Sequence, residues 1–509
     1  MNKISNVKIP VYCTEEDLLK KASKISNIPI SKVRHFKILK KSLDARDKNN
    51  IFYNYSVEIS DKLISNSEKV YKKVKTKPSV LVVGAGPAGL FCTLTLLRCG
   101  ARVLLIERGK PVEERQKSVD NFINSGVLDE NSNIQFGEGG AGAFSDGKLN
   151  TQVGGEYVKE VLNEFVKFGA PNDVAYLNKP HIGSDNLPKV IKNMRSEILS
   201  LGGEIKFNTT LTNLEIVNGK VKRACFNGGY EEFDEVVLAV GHSARDVYEM
   251  VKNRNIFIES KDFAVGLRIE HLKEDINLAQ YGEKYANLKC MPTADHKLTS
   301  RFMDRGVFTF CMCPGGFVMP SSSSENTVVV NGMSNYKRDN VNSNSAIVVQ
   351  VSKKDFGEEV FGGVNFQKKM ERLAYDLGGG NYKAPCMLTG DYLSGDKSSG
   401  FGKVNPSYQM GVNKADLNLL FSTELNNAVK YAIRDMGKRL KGFDSYDSVL
   451  TGVESRTSSP IKITRGLDLT SVSVSNLYPC GEGCGYAGGI TSASIDGIKV
   501  AEKIVEKYQ

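Results

Sequence analysis

The 509 residues are 40% hydrophobic and 25% charged, chain enough for roughly two to four domains with buried cores. No run of about 18 apolar residues occurs, and the polar start Met1 to Asp17 has no secretory apolar core, so a membrane protein is excluded and a cytoplasmic one expected. The formal net charge of +10 resides in residues 1–78, with 18 Lys+Arg against 8 Asp+Glu, and the ten scattered cysteines, without a C-x-x-C pair, exclude a disulfide scaffold.

In chain order, Asn6 to Tyr12 alternates like a strand, and Thr14 with Asp17 three residues on predicts a capped helix running to about Ser26. Val33 to Leu39 and Ile51 to Ile59 read as two further strands. The expectation is a small basic α+β domain over residues 1–78, ferredoxin-like, closed by the Lys-rich segment Lys69 to Lys77. Its charge is read as a solvated surface; docking of nucleic acid through residues 1–78 is the less favoured reading.

Val80 to Val83 predicts a buried strand, Gly84-Ala-Gly-Pro-Ala-Gly89 a turn, and Leu90 to Cys99 the helix that follows. Gly84 allows the tight turn, Gly86 lets backbone approach a pyrophosphate, and Gly89 lets helix pack on strand. The diphosphate would rest on the free N–H groups of the helix amino end. The next strand, Ala101 to Ile106, ends in Glu107, where a carboxylate accepts hydrogen bonds from ribose hydroxyls and repels a 2′-phosphate, disfavouring NADP. G-x-G-x-x-G also occurs at Gly137–Gly142 and Gly483–Gly488, without the strand and acid that give it meaning. One dinucleotide unit is therefore expected, and a second, NAD(P)H-binding unit is not visible.

Helical periodicity over Asn186 to Leu201, a strand Glu204 to Phe207, a strand pair around Asn218 and the strand Val236 to Val240 continue an α/β pattern. Phe263 to Glu270, Val307 to Cys313 and Thr327 to Val330 carry β signals in the centre. Leu477 to Cys480 and the helix Ser492 to Tyr508 return to the first pattern. The division expected is 79–245 and 452–509 as two parts of an FAD-binding domain, with a β-rich substrate domain at 246–451 between them.

Several long stretches then carry a resemblance: Val80–Gly89 (VLVVGAGPAG), Phe136–Leu149 (FGEGGAGAFSDGKL), Lys179–Ser184 (KPHIGS), Ala239–Asp246 (AVGHSARD), Phe263–His271 (FAVGLRIEH), Cys311–Gly316 (CMCPGG) and Tyr478–Gly489 (YPCGEGCGYAGG), with Lys41–Arg46 (KSLDAR) near the start. The chain resembles the NAD(FAD)-utilizing dehydrogenases, FAD-dependent dehydrogenases of uncertain substrate in the glutathione-reductase-like flavoprotein superfamily. The resemblance implies a Rossmann-type FAD/NAD(P)-binding fold, FAD as cofactor, NAD(P)H as a passing electron donor and a small-molecule substrate. It implies a crossing strand Val237–Gly241, a ribityl contact at Gly481-Glu482, and a helix amino end near Thr491 beneath the flavin pyrimidine. The cofactor residues expected are Gly84, Gly86, Pro87, Ala88, Gly89, Glu107, Arg108, Gly139, Gly140, Ser145, Gly147, Lys148, Leu211, Gly241, Gly481, Glu482, Gly488, Gly489 and Ile490.

For catalysis, three histidines lie within these stretches, His181, His242 and His271, and an imidazole near flavin N5 moves the proton that accompanies hydride transfer. His271 is the choice, with Tyr486 at the flavin edge and Arg268 as an anion clamp or as the ion-pair partner of Glu270 on the same strand face. Cys311 and Cys313 are expected to pack on one strand face, and no metal site is expected. The function expected is an FAD-dependent oxidoreductase; a flavin monooxygenase or an RNA-associated flavoprotein are the alternatives.

Overall fold

A computed structural model describes residues 2–64 and 69–509; residue 1 and residues 65–68 of the N-terminal segment lie outside the described residues. Strands Asn2–Pro10, Phe52–Ser60 and His35–Asp44 lie in that order in an antiparallel sheet. The helix Glu15–Ser26 covers them, and its Thr14–Asp17 capping box forms as the sequence predicts. A ferredoxin-like unit has a further helix and a fourth strand; neither follows among the described residues, and the chain from Lys69 instead runs along the body, with Val74 N–H donating to Cys99 C=O and Lys75 N–H to Tyr508 C=O. This basic sheet is docked rather than free: Lys41 and Asn178 exchange backbone bonds with Tyr176 and Lys41, and Lys48 Nζ donates to Ala279 C=O.

Five parallel strands form the second sheet, in the order Leu477–Pro479, Glu235–Leu238, Ser79–Val83, Arg102–Ile106, Glu204–Lys206. Their Val, Leu and Ile runs are buried on both faces, as parallel strands between helices must be. The last strand in sequence thus pairs beside strands some 240 residues earlier. The helix Pro87–Cys99, apolar nearly all round, is enclosed between this sheet and the C-terminal helix Ile490–Lys507. The strand pair around Asn218 is the hairpin Leu211–Val217/Lys220–Phe226, turned by Asn218 and Gly219, both at positive φ.

The central region builds a seven-stranded sheet in the order Thr299–Phe302, Arg305–Cys313, Asn342–Val351, Phe263–Leu272, Val449–Glu454, Ala384–Leu388, Val412–Lys414. All pairs are antiparallel except the last. The β signal at Thr327–Val330 is realised slightly later, as Val330–Met333 paired with Phe317–Pro320. A short ribbon, Ile258–Ser260 with Ile461–Ile463, links the two large sheets. Segments at the carboxyl ends of the parallel strands, Gly84, Glu107, Ala239–Gly241 and Glu482, share a cleft of about 320 Å³ with Phe310, Cys311 and Glu454 of the seven-stranded sheet and Asn331 of the short pair Phe317–Pro320/Val330–Met333. This is where open α/β sheets place their ligands.

Candidate functional site

The fingerprint glycines do three different things. Gly84 has φ +105°, and a Cβ there would lie 2.6 Å from Ala239 C=O. At Gly89 a Cβ would lie 1.8 Å from Gly84 C=O, so this glycine sets how closely helix and strand approach and does not line the cleft. Gly86 differs: its φ is ordinary, the nearest atom to a Cβ is Gly140 Cα at 3.9 Å, and it opens on the cleft with Pro87 and Ala88. The amino end of the Pro87–Cys99 helix, with its free N–H groups, therefore faces the cavity.

Glu107, 6% exposed, sits at the next strand end. Its Oε2 accepts from Ala85 N–H at 2.8 Å, and its Oε1 from Gly109 N–H at 2.9 Å and Gly137 N–H at 3.0 Å. The carboxylate is thus held rigidly at the cleft wall while retaining lone pairs for a sugar hydroxyl. Beside it, Arg108 pairs with Asp246 and lies over the Phe136 ring, centroid distance 4.5 Å. With Leu211 and Thr209 these residues line a side pocket of about 50 Å³ that shares Gly84 and Glu107 with the cleft.

The glycine-rich loop over residues 133–148 owes its shape to Arg115, a residue the sequence reading passed over. Its buried guanidinium donates to the carbonyls of Asn133, Ile134, Gly137, Glu138 and Gly140. Burial pushes this arginine down to about 10, against the nearby charges of Glu107 and Glu138. Gly140 lines the cleft, but Gly139 and Gly147 are packing positions: a Cβ would meet Ile191 Cδ1 at 2.3 Å and Leu187 Cδ1 at 2.8 Å. Ser145 lines the cleft and also ties the loop, donating to Gly142 C=O and accepting from Gly147 N–H. Lys148 lies 3.2 Å from Asp146, which also pairs with Arg338. Burial is the largest influence on the Lys148 ammonium and lowers it, but Asp146 with Cys313 and Cys311 together push it above its usual range.

From the other arm of the chain come Glu482, Gly488, Gly489 and Ile490, at the amino end of the helix Ile490–Lys507. Glu482 Oε1 is 3.3 Å from His242 Nδ1, and the buried His242 Nε2 has no partner among the described residues although His242 lines the cleft. Gly481 is structural: at φ +76° its N–H donates to Asp496, and a Cβ would press on Ala88. Two helix amino ends, an oriented carboxylate, an adjoining side pocket and an unpartnered imidazole in one cleft fit an adenine dinucleotide bearing a diphosphate.

All three expected catalytic residues require correction. His271 lies on the other face of its strand, with Nε2–H donating to Phe443 C=O at 2.8 Å, and burial holds it below the usual imidazole range. It lines a separate groove with Lys48 and Gly282. Tyr486 is held by its hydroxyl, which accepts from Arg465 N–H and donates to Ile463 C=O, under the Arg465 guanidinium, 3.7 Å from the ring centroid. It does not line the cleft. Arg268 is fully buried in a bidentate pair with Glu454, both bonds 2.9 Å, and not with Glu270, which accepts from Asn342 and Ser407. Arg268 thereby fixes cleft residues without lining the cleft itself.

Other wall residues had no local signal. Arg456, 9% exposed, donates to Glu371, Ser243 and Ser323; Arg245 grips the same Glu371 from the opposite side. Glu371 is fully buried, and the two guanidiniums hold its carboxyl well below the usual range against the opposing effect of burial. Among the described residues no cluster of three or more metal-ligating side chains occurs and no helix is long and apolar enough to cross a membrane.

Comparison with known proteins places these parts in context. Residues 262–457 match the family described as FAD-dependent protein, C-terminal domain-like. Residues 78–279 match pyridine nucleotide-disulphide oxidoreductase, and residues 1–60 match a domain of unknown function. An uncharacterized protein of Clostridium beijerinckii is 43% identical over 529 residues, covering 99% of each chain. Aklavinone 12-hydroxylase of Streptomyces peucetius is 31% identical over 150 residues, 28% of this chain and 30% of that one. Among solved structures, a geranylgeranyl bacteriochlorophyll reductase-like protein of Thermoplasma acidophilum is 12% identical with a TM-score of 0.38, covering 85% of this chain and 79% of its own.

Proposed function

The chain belongs to the FAD-dependent oxidoreductases, and from that premise we propose that it is a dehydrogenase or reductase passing a hydride or electron pair between its flavin and a small-molecule substrate. One observation carries this reading: two helix amino ends, from residues some 400 positions apart, open into the same cleft. The Pro87–Cys99 helix would receive the diphosphate, Glu107 the adenosine ribose, and the side pocket of Arg108, Phe136 and Leu211 the adenine. Glu482 and His242 would contact the ribityl chain. The Ile490–Lys507 helix would offer its positive end to the flavin pyrimidine, which would favour the reduced, negatively charged ring. FAD supplies the redox chemistry at N5 when bound.

Around that ring the protein's own groups bind and orient. Lys148, paired with Asp146, and Arg456, anchored by Glu371, would provide fixed positive charge beside the flavin ring. The wall of Phe310 and Thr457 is shared with a second groove, lined also by Phe308 and Ala264, through which substrate or NAD(P)H would approach. Anaerobic mixing of the flavin-loaded protein with NADH and with NADPH tests the proposal: bleaching of the flavin absorbance by one of them is expected. Absence of bleaching by either would overturn a nicotinamide-fed reductase, and reduced flavin that reacts rapidly with oxygen to give a hydroxylated substrate would move the protein to the monooxygenases.

A further inference from the structure

The N-terminal sheet has one covered face and one open face. Val7, Ile9, Tyr55, Val57 and Ile59 pack under the helix Glu15–Ser26, and on the same side Leu43 and Tyr53 meet the core of the seven-stranded sheet. Alternation along the strands sends the residues between them to the other side. There the registers set Lys3, Glu58 and Lys37 in one row across the three strands and Ser56 and Lys40 in the next. Lys8, Asn54 and Ser42 follow, then Pro10, Phe52 and Asp44. Lys3, Lys8, Lys37 and Lys40 are exposed, and none of them is in an ion pair among the described residues. The two acids of this face are already engaged: Glu58, 9% exposed, lies 3.0 Å from His35 Nε2, and Asp44 pairs with Arg46. Glu15, Glu16 and Asp17 belong to the helix, and Asp47 and Asp61 to loops beyond the strand ends.

From this arrangement we propose that the open face docks single-stranded RNA, with the four lysines on its phosphates and one base stacked on Phe52. The sequence reading takes the charge of residues 1–78 as a solvated surface, but the fold gathers four of its cations on one side of one sheet. Lys3 and Lys37 stand two strands apart, about 10 Å, which is within one screening length at 0.1 M salt, so their fields add on an approaching polyanion. Between the lysines lie amides and hydroxyls, Asn6, Asn54, Ser56 and Ser42, with Asn54 Nδ2 donating to Asn6 Oδ1 at 3.3 Å. Such groups suit the 2′-hydroxyls that distinguish RNA from DNA. Phe52 is half-buried, and Lys8 Nζ lies 4.8 Å from its ring centroid, where a base would stack in its place. A membrane surface would instead call for apolar side chains standing out between the lysines. The proposal is independent of the flavin reading, because the face and the cleft share no residue.

The test titrates the full chain into fluorescein-labelled oligouridylate and follows the anisotropy at two salt concentrations. Four phosphate contacts give a log–log salt slope of about −2.8, so binding should weaken about 50-fold between about 50 and 200 mM KCl. Lys37→Gln/Lys40→Gln should reduce that slope to about −1.4. Phe52→Ala should weaken binding about 5- to 150-fold, and Phe52→Tyr, which keeps the ring, should restore it. Lys72→Gln/Lys75→Gln, in the Lys-rich segment that follows the sheet, should bind as the parent does, with circular dichroism checking that every variant is folded. Unchanged anisotropy at the lower salt overturns the proposal, as does a loss of binding in the Lys72/Lys75 variant equal to that of the sheet variant. Equal affinity for oligodeoxyuridylate overturns the choice of RNA, and binding to phosphatidylserine vesicles without binding to oligouridylate overturns the nucleic-acid reading altogether.

Discussion

Replacing Gly86 and Gly89 separately by alanine should divide binding from folding. A Cβ at Gly86 has no atom nearer than 3.9 Å and its backbone is ordinary, so the apoprotein should accept Gly86→Ala with a stability change within about 1 kcal/mol. That methyl group projects into the cleft where a diphosphate oxygen must reach the helix N–H groups. Losing one charge-assisted hydrogen bond costs about 1.5–3 kcal/mol, equivalent to roughly 10- to 150-fold weaker FAD binding. At Gly89 the methyl would lie 1.8 Å from the Gly84 carbonyl oxygen, an overlap that only a shift of the helix relieves. Gly89→Ala should therefore cost about 1–3 kcal/mol or more in the apoprotein itself. Flavin fluorescence titration gives the affinity, and urea unfolding of the apoproteins gives the stability. If Gly86→Ala binds FAD within twofold of the parent, or destabilises the apoprotein as much as Gly89→Ala does, the assignment of separate roles is wrong.

Glu138 is buried with one oxygen unpartnered, and burial pushes its carboxyl up to about 7 from the ordinary 4.5. The native state thus keeps this proton longer than the unfolded chain, so stability should fall as pH rises from about 4.5 to 7, by about 3 kcal/mol at most. Glu138→Gln should flatten that part of the profile in urea unfolding at pH 5 and pH 8; an unchanged difference between the two pH values contradicts the reasoning. Glu371→Gln leaves Arg245 and Arg456 buried without their countercharge and should destabilise by about 3–5 kcal/mol, measured by the same unfolding; a loss under 1 kcal/mol would show that the cluster is not needed.

What the sequence disclosed was what is encoded locally. Strand, turn, helix, strand and acid run consecutively from Val80 to Glu107, so hydrophobic period and glycine spacing locate them together. The C-terminal return, Leu477 to Ile490, was legible because its strand and glycine turn have the same local form. The wall opposite was not: Cys311 and Glu454 come from the seven-stranded sheet, Asn331 from a separate two-stranded one and Arg456 from the loop after Val449–Glu454, and nothing near any of them in sequence marks the others. His271 illustrates a different failure. Side chains alternate along Phe263–Leu272, so Arg268 and Glu270 share one face while His271 joins Leu267 and Ile269 on the apolar one. A motif spanning a strand names residues on both faces, and here none of them lines the cleft: the alternation sends His271 into the apolar core and Arg268 to Glu454 behind the cleft wall. Arg268 shared a face with Glu270 as the spacing required, yet its partner came from the neighbouring strand.

The absorbance spectrum of the purified protein, before and after incubation with FAD and removal of the free cofactor, tests the whole account most directly. Flavin bands corresponding to one FAD per chain, lost on Glu107→Arg, are expected. Folded protein that stays colourless and leaves added FAD fluorescence unquenched would contradict it.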